Sequence, residues 1–128
     1  MVERDYVMRL IHEIIRTLIA LVFGRDVDEE TELIVRAESR QLYERLKSLV
    51  DAGEIEEAEN CLWEAAENGE IDFETGLLFY EHLNEKSNDF LEEHHFSRKE
   101  VVEGIRYLAE CYGYGTMAES LLEDVIEE

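Results

Sequence analysis

Residues 37–52 and 54–68 are two amphipathic stretches separated by one glycine, Gly53, and no other feature of the chain narrows its fold as much. The first carries Leu42, Leu46, Leu49 and Val50 on one stripe, the second Ile55, Ala58, Leu62, Ala65 and Ala66. Both follow the 3.6-residue period of an α-helix. Two such helices joined by a single residue can bury their stripes together only by folding back antiparallel, as a hairpin. The 128 residues include no proline, and glutamate and leucine are abundant, so glycine is the strongest interruption the helical pattern meets.

The same reading along the chain predicts an all-α fold of about seven helices arranged as antiparallel hairpins in one domain, 1–128. The first helix, 3–23, carries Val7, Leu10, Ile11, Ile14, Ile15, Leu18, Leu21 and Val22, with Met8 and Ile19 widening the apolar arc to about half the circumference. That is more than one contact needs. Residues 1–24 are therefore expected to dock across the array or onto a second copy, a homodimer through Leu10, Ile14, Leu18 and Leu21, with 37–128 forming an acidic hairpin array. Segment 72–85 is apolar all round, with Phe73, Leu77, Leu78, Phe79, Tyr80 and Leu83, and is expected at the centre. Gly76 inside it suggests a close neighbouring backbone. Ser87 or Asn88 opens a short helix to residue 94, and Ser97-Arg98-Lys99-Glu100 is a capping box opening the next, with Val101, Ile105, Leu108 and Tyr112 as its stripe. Gly113 and Gly115 precede a last helix carrying Met117, Leu121, Leu122, Val125 and Ile126.

The formal net charge is −21, and it is unevenly placed: residues 1–47 hold 10 acids and 8 bases, whereas the rest holds 23 acids and 4 bases. Such a surface disfavours nucleic acid, whose phosphates attract lysine and arginine, and anionic membranes for the same reason. Cys61 and Cys111 form no Cys-x-x-Cys motif and read as free buried thiols, which fits a reducing, cytoplasmic setting. The longest apolar run, 18–23, has six residues and follows Arg9, Glu13 and Arg16, too short to span a bilayer. With no small-x-small cleavage site after it, a signal peptide is not expected.

The hairpin at 42–65 resembles a tetratricopeptide unit, with Leu42, Leu46 and Leu49 on its first helix and Ala58, Leu62 and Ala65 on its second, the small alanines sitting where helices cross. A weaker echo joins Val102, Ile105 and Ala109 to Ala118, Leu122 and Val125. The repeat is irregular: Arg45-Leu46 replaces the usual leucine-glycine pair, and Glu70 stands where proline commonly ends the unit. Over most of its length the chain also resembles a bacterial family of uncharacterised small helical proteins. The matching stretches are Asp5-Tyr6-Val7-Met8-Arg9-Leu10-Ile11, residues 53–62, Phe79-Tyr80-Glu81-His82-Leu83-Asn84, and 96–104 with Tyr112-Gly113. The resemblance implies a cytoplasmic helical protein and carries over no catalytic residue.

Motifs of chemistry are sparse. Glu92-x-x-His95 has the offset used in di-iron bundles, but those sites need a second such pair and two further glutamates. Asp26-x-Asp28-x-Glu30 suggests a calcium loop, yet Thr31 occupies its glycine position and Ala37 that of its bidentate glutamate. Nucleophile elbows, phosphate-binding loops and His-Glu-x-x-His motifs are absent from the sequence. His12 and His82 read as helix-flank residues without a sequence-local partner, and no carboxylate stands out as buried. Trp63, Phe79 and Tyr107 fall off the main stripes of their helices, where they cover the next hairpin or line a groove.

These features point to a non-catalytic interaction module without cofactor or bound metal. It would hold a basic helix or peptide in a groove where Trp63, Phe79, Tyr80 and Tyr107 serve as apolar anchors among glutamates. The alternative from another class is a small metal-assisted or acid–base enzyme using Glu92, His95 and His82. A third reading, an acidic mimic of nucleic acid, would require carboxylates spaced like phosphates.

Overall fold

In the computed structural model, residues 2–23 and 37–126 are described, with side-chain surroundings for residues 6–22 and 39–123. They form seven helices: α1 (Val2–Phe23), α2 (Ala37–Asp51), α3 (Ile55–Glu67), α4 (Phe73–Asn84), α5 (Asn88–Glu93), α6 (Arg98–Cys111) and α7 (Gly115–Ile126). No strand occurs among the described residues. Gly24 and the Asp26-x-Asp28-x-Glu30 run lie outside them.

The turns explain why the helices stop where they do. After α2, Gly53 takes φ +87° and closes two backbone bonds, Gly53 N–H to the Val50 carbonyl and Glu54 N–H to the Leu49 carbonyl. This is the Schellman closure, which requires a left-handed residue after the helix. Gly69 and Gly113 close α3 and α6 with the same bond pattern. Helix starts are capped by side chains: Asp72 accepts from the Thr75 amide, Ser87 from Phe90 and Ser97 from Glu100. The three-residue turn Ala52-Gly53-Glu54 pairs α2 with α3, and the equally short turn through Gly113 pairs α6 with α7, as antiparallel hairpins.

Helix α4 lies at the centre, packed on α1, α2 and α6. Its Leu77, Phe79, Tyr80 and Leu83 are fully buried. Helix α3 bridges α2 and α6, while α7 bridges α6 and α1. The wide arc of α1 is used within the chain: Ile11, Ile15, Leu18 and Ile19 are fully buried against this core and Ile14 nearly so. That corrects the dimer seam expected through Leu10, Ile14, Leu18 and Leu21. Leu10 is partly buried against the core, and of the four only Leu21 is exposed, at 61%.

Two further expectations change. Gly76 does admit a close neighbour, but the neighbour is the Leu108 side chain of α6 and no backbone. Cys61 is half-buried and Cys111 exposed, so both are free thiols but neither is a core residue.

Gly104 on α6 is the tightest approach in the core, since a Cβ there would overlap the hydroxyl and ring of buried Tyr80. Gly104→Ala is expected to cost about 1–3 kcal/mol in urea denaturation, because a buried tyrosine must move. Gly76→Ala should cost less, since its Cβ meets the rotatable methyl end of Leu108 at 2.7 Å and alanine regains about 1 kcal/mol of helix propensity.

Candidate functional site

Trp63 and Tyr107 come together where α3 and α6 pack, with ring centroids 4.8 Å apart at an interplanar angle of 83°. Edge-to-face contact of this kind aligns the positive rim of one ring with the negative face of the other. Trp63 is half-buried and also lies 6.0 Å from the Tyr80 ring, whereas Tyr107 remains 41% exposed. The Tyr107 hydroxyl donates to Glu67 Oε2 at 3.2 Å, and that bond, with the charges of Cys111 and Glu67, pushes the phenol up from its ordinary value. At helical spacing from the two rings stand Glu56, Glu59 and Glu67 on α3 and Glu100, Glu103 and Glu110 on α6. The surface is an aromatic pair framed by acids.

Phe79 and Tyr80 do not belong to that surface. Both are fully buried on α4, which corrects their expected role as partner anchors: a helix covered from several sides leaves no solvent-facing aromatic. Tyr80 instead acts from beneath, its hydroxyl donating to Glu59 Oε2 at 2.6 Å. Burial pushes the Glu59 carboxyl up, the Tyr80 bond partly opposes it, and Glu100 across the α3–α6 seam adds repulsion.

A second buried carboxylate, Glu81, faces α1, where Nδ1 of His12 lies 2.5 Å from its Oε2. Burial raises this carboxyl to about 7, with His12 pulling it down and Glu85 pushing it up. On the other side of α4, Nε2 of His82 lies 2.8 Å from Asp51 Oδ1 on α2, and Lys86 Nζ reaches the same oxygen at 2.5 Å. Burial pulls the Asp51 carboxyl up, but the Lys86 and His82 bonds outweigh it and hold the group below its usual range. Both histidines thus have carboxylate partners from distant segments, invisible in the linear string. Glu81 carried a readable signal, because an acid on a helix that is apolar all round must be buried.

Polar groups also fix the end of α4. Asn84 donates from Nδ2 to the Met8 carbonyl of α1 at 2.9 Å and accepts from Arg98 Nε at 3.1 Å. Arg98 also donates to the carbonyls of Asn84 and Lys86 and to Asn88 Oδ1. A guanidinium at a helix C-terminus satisfies carbonyls the helix leaves open and opposes its negative end.

The residues of the enzymatic alternative are not assembled. Helix α5 ends at Glu93, so His95 lies beyond it, with φ +58°, and closes the turn by the same bonds the glycines make, His95 N–H to Glu92 and Phe96 N–H to Leu91. Glu92 and His95 therefore do not share a helical face, and both are exposed while His82 is engaged by Asp51. Among the described residues, no three His, Cys, Asp or Glu side chains converge where they could hold a metal ion. Nor is any described helix long and apolar enough to cross a membrane.

The fold and surface define an all-α helical array with an acidic, aromatic-bearing face. A family model described as a family of unknown function (DUF6483) matches residues 1–113, and the chain belongs to that family. No curated protein and no solved structure matches it.

Two outcomes test this geometry. His95→Gly should raise stability by about 1 kcal/mol in chemical denaturation, since glycine adopts the left-handed conformation without the Cβ penalty. Tyr80→Phe should cost about 1–2 kcal/mol, by removing a donor from a half-buried carboxylate. The lost bond raises Glu59 further, and a raised carboxyl loses stability as pH rises through its folded value. The Tyr80→Phe cost is therefore larger at pH 7 than at pH 4.

Proposed function

We propose that the protein is a non-catalytic, cytoplasmic interaction module whose α3–α6 face holds a basic helix or peptide. The observation that carries this reading is the Trp63–Tyr107 pair. It is an edge-to-face contact with Tyr107 exposed, set among glutamates of both helices. Rigid aromatics supply contact area at low entropic cost and are favoured at the centres of interfaces. A surrounding ring of one charge selects a partner of the other and speeds encounter with it. Of the three basic side chains of α6, Arg98 is directed to the end of α4, Arg106 pairs with Glu103 at 3.1 Å and with Glu119 of α7 at 3.0 Å, and Lys99 is exposed in the first turn, so the six glutamates outnumber the cations beside them. The tetratricopeptide-like reading of the α2–α3 and α6–α7 hairpins belongs to the same proposal, supported by Ala58, Ala65, Ala109 and Ala118, all buried. No observation of comparable weight favours an enzyme.

Trp63 is the single tryptophan of the chain, so its fluorescence reports directly on this face. Titration with an amphipathic helical peptide bearing lysine and arginine beside a leucine stripe should shift that fluorescence saturably. Raising salt should weaken the binding. Tyr107→Ala with Glu67→Gln should reduce affinity by about tenfold or more, within the range of a hot-spot loss, at unchanged thermal midpoint. A peptide that binds the double variant as tightly as the parent would sink the proposal.

A further inference from the structure

The remaining buried ionisable cluster is not used by the α3–α6 face and stands independently of it. Glu81 projects from the central helix toward α1 and is 8% exposed. Its two oxygens have unequal surroundings: Oε2 meets His12 of α1 at 2.5 Å, whereas Oε1 is buried with no hydrogen-bond donor upon it. Four residues on, just past the last residue of α4, Glu85 adds a second carboxylate. Charged groups of the other packed helices are directed elsewhere. Asp51 of α2 is held by His82 and Lys86, Arg98 of α6 by Asn84 and Asn88, and Glu119 of α7 by Arg106. On α1 itself, Arg16 pairs with Glu13 at 3.5 Å. Within this arrangement a fully ionised Glu81 has a buried, unanswered oxygen beside a like charge, which is costly. A proton on Glu81 removes that charge and turns the Glu85 contact into a hydrogen bond.

We infer that His12, Glu81 and Glu85 form a proton-dependent latch between α1 and α4, which tightens when the cluster takes up a proton and loosens when it gives it up. The contact crosses the seam that buries Ile11, Ile15, Leu18 and Ile19, so loosening it makes the largest apolar face of α1 more available. The sign follows from linkage. Glu81 has an ordinary value of 4.5 when undocked and about 7 when docked. Docking is therefore strongest below about pH 4.5, weakens about tenfold per pH unit above it, and levels off once pH passes about 7. The device responds between about pH 4.5 and neutrality.

Backbone amide exchange of the intact protein at pH 5.5, 6.5 and 7.5, corrected for intrinsic exchange, tests this. Protection of residues 11–19 should fall about tenfold per pH unit over that range up to the plateau, while residues 55–67 of α3 keep theirs. Glu81→Gln should abolish the pH dependence in α1. His12→Gln is a second variant at a half-exposed position. It should retain the dependence but move the plateau to higher pH, because the imidazole is what holds Glu81 down. Protection of α1 that ignores pH would overturn the latch. So would α1 and α3 losing protection in parallel, an unaltered slope in Glu81→Gln, or a plateau unmoved in His12→Gln.

Discussion

Helix α4 has neighbours on every side that its side chains need, and each polar group it carries must be answered inside the protein. Apolar contact is non-directional and would let the surrounding helices slide along α4 with little change in buried area. The polar groups remove that freedom. Tyr80 reaches Glu59 on α3, Glu81 meets His12 on α1, and Asn84 joins the Met8 carbonyl of α1 to Arg98 of α6. Each bond has one length and one direction, so together they fix the register of α1, α3 and α6 against a single axis. Thr75 Oγ1 and Glu81 Oε1 are the exceptions among the described groups of α4, buried without a hydrogen-bond partner.

Much of this architecture is legible in the sequence. Helix bounds follow the glycines and the Asp72, Ser87 and Ser97 caps to within a residue or so, because those signals are local: a left-handed residue or an amide acceptor acts within one turn. The central place of α4 is legible for a similar reason, as apolar residues at every angle leave no solvated side. The same reasoning consigns Phe79 and Tyr80 to the core. Treating them as partner anchors conflicts with the all-round burial that defines their helix. What stays hidden is pairing across the chain. Residues 12 and 81, 51 and 82, or 59 and 80 meet because of helix crossings that no local period encodes. His95 shows the opposite difficulty, since the Glu-x-x-His spacing has meaning only if the helix continues, and its left-handed backbone ends that helix.

The net charge of −21 takes on a more specific form once helices α3 and α6 are placed. Their packing brings the Glu100 charge close enough to oppose ionisation of Glu59, at a seam whose floor is aromatic. An evenly solvated acidic coat would relieve such repulsion by spreading its charges. Here the hydroxyl of Tyr80 anchors one carboxylate, and Tyr107 holds Glu67 beside the exposed ring. The electrostatic strain is thus localised on the one described face that also presents a T-shaped aromatic pair. A cationic side chain arriving there would be drawn by both features, since ring faces and carboxylates attract the same sign of charge.

The apolar arc of α1 illustrates how far an amphipathic pattern can be taken. An arc of half a circumference states how much of a helix is covered, but not by how many neighbours or from which chain. In this fold α4, α6 and α7 all pack on α1 and together account for the width, so a second copy is not needed to explain it. The polar side chain embedded in that seam is the more informative sign. An apolar helix face docked permanently needs no carboxylate opposite it, and replacing a buried ionic pair by apolar side chains of similar size is often neutral or stabilising. Keeping Glu81 opposite His12 makes the strength of the α1–α4 seam depend on protons, which a purely apolar seam of the same area would not.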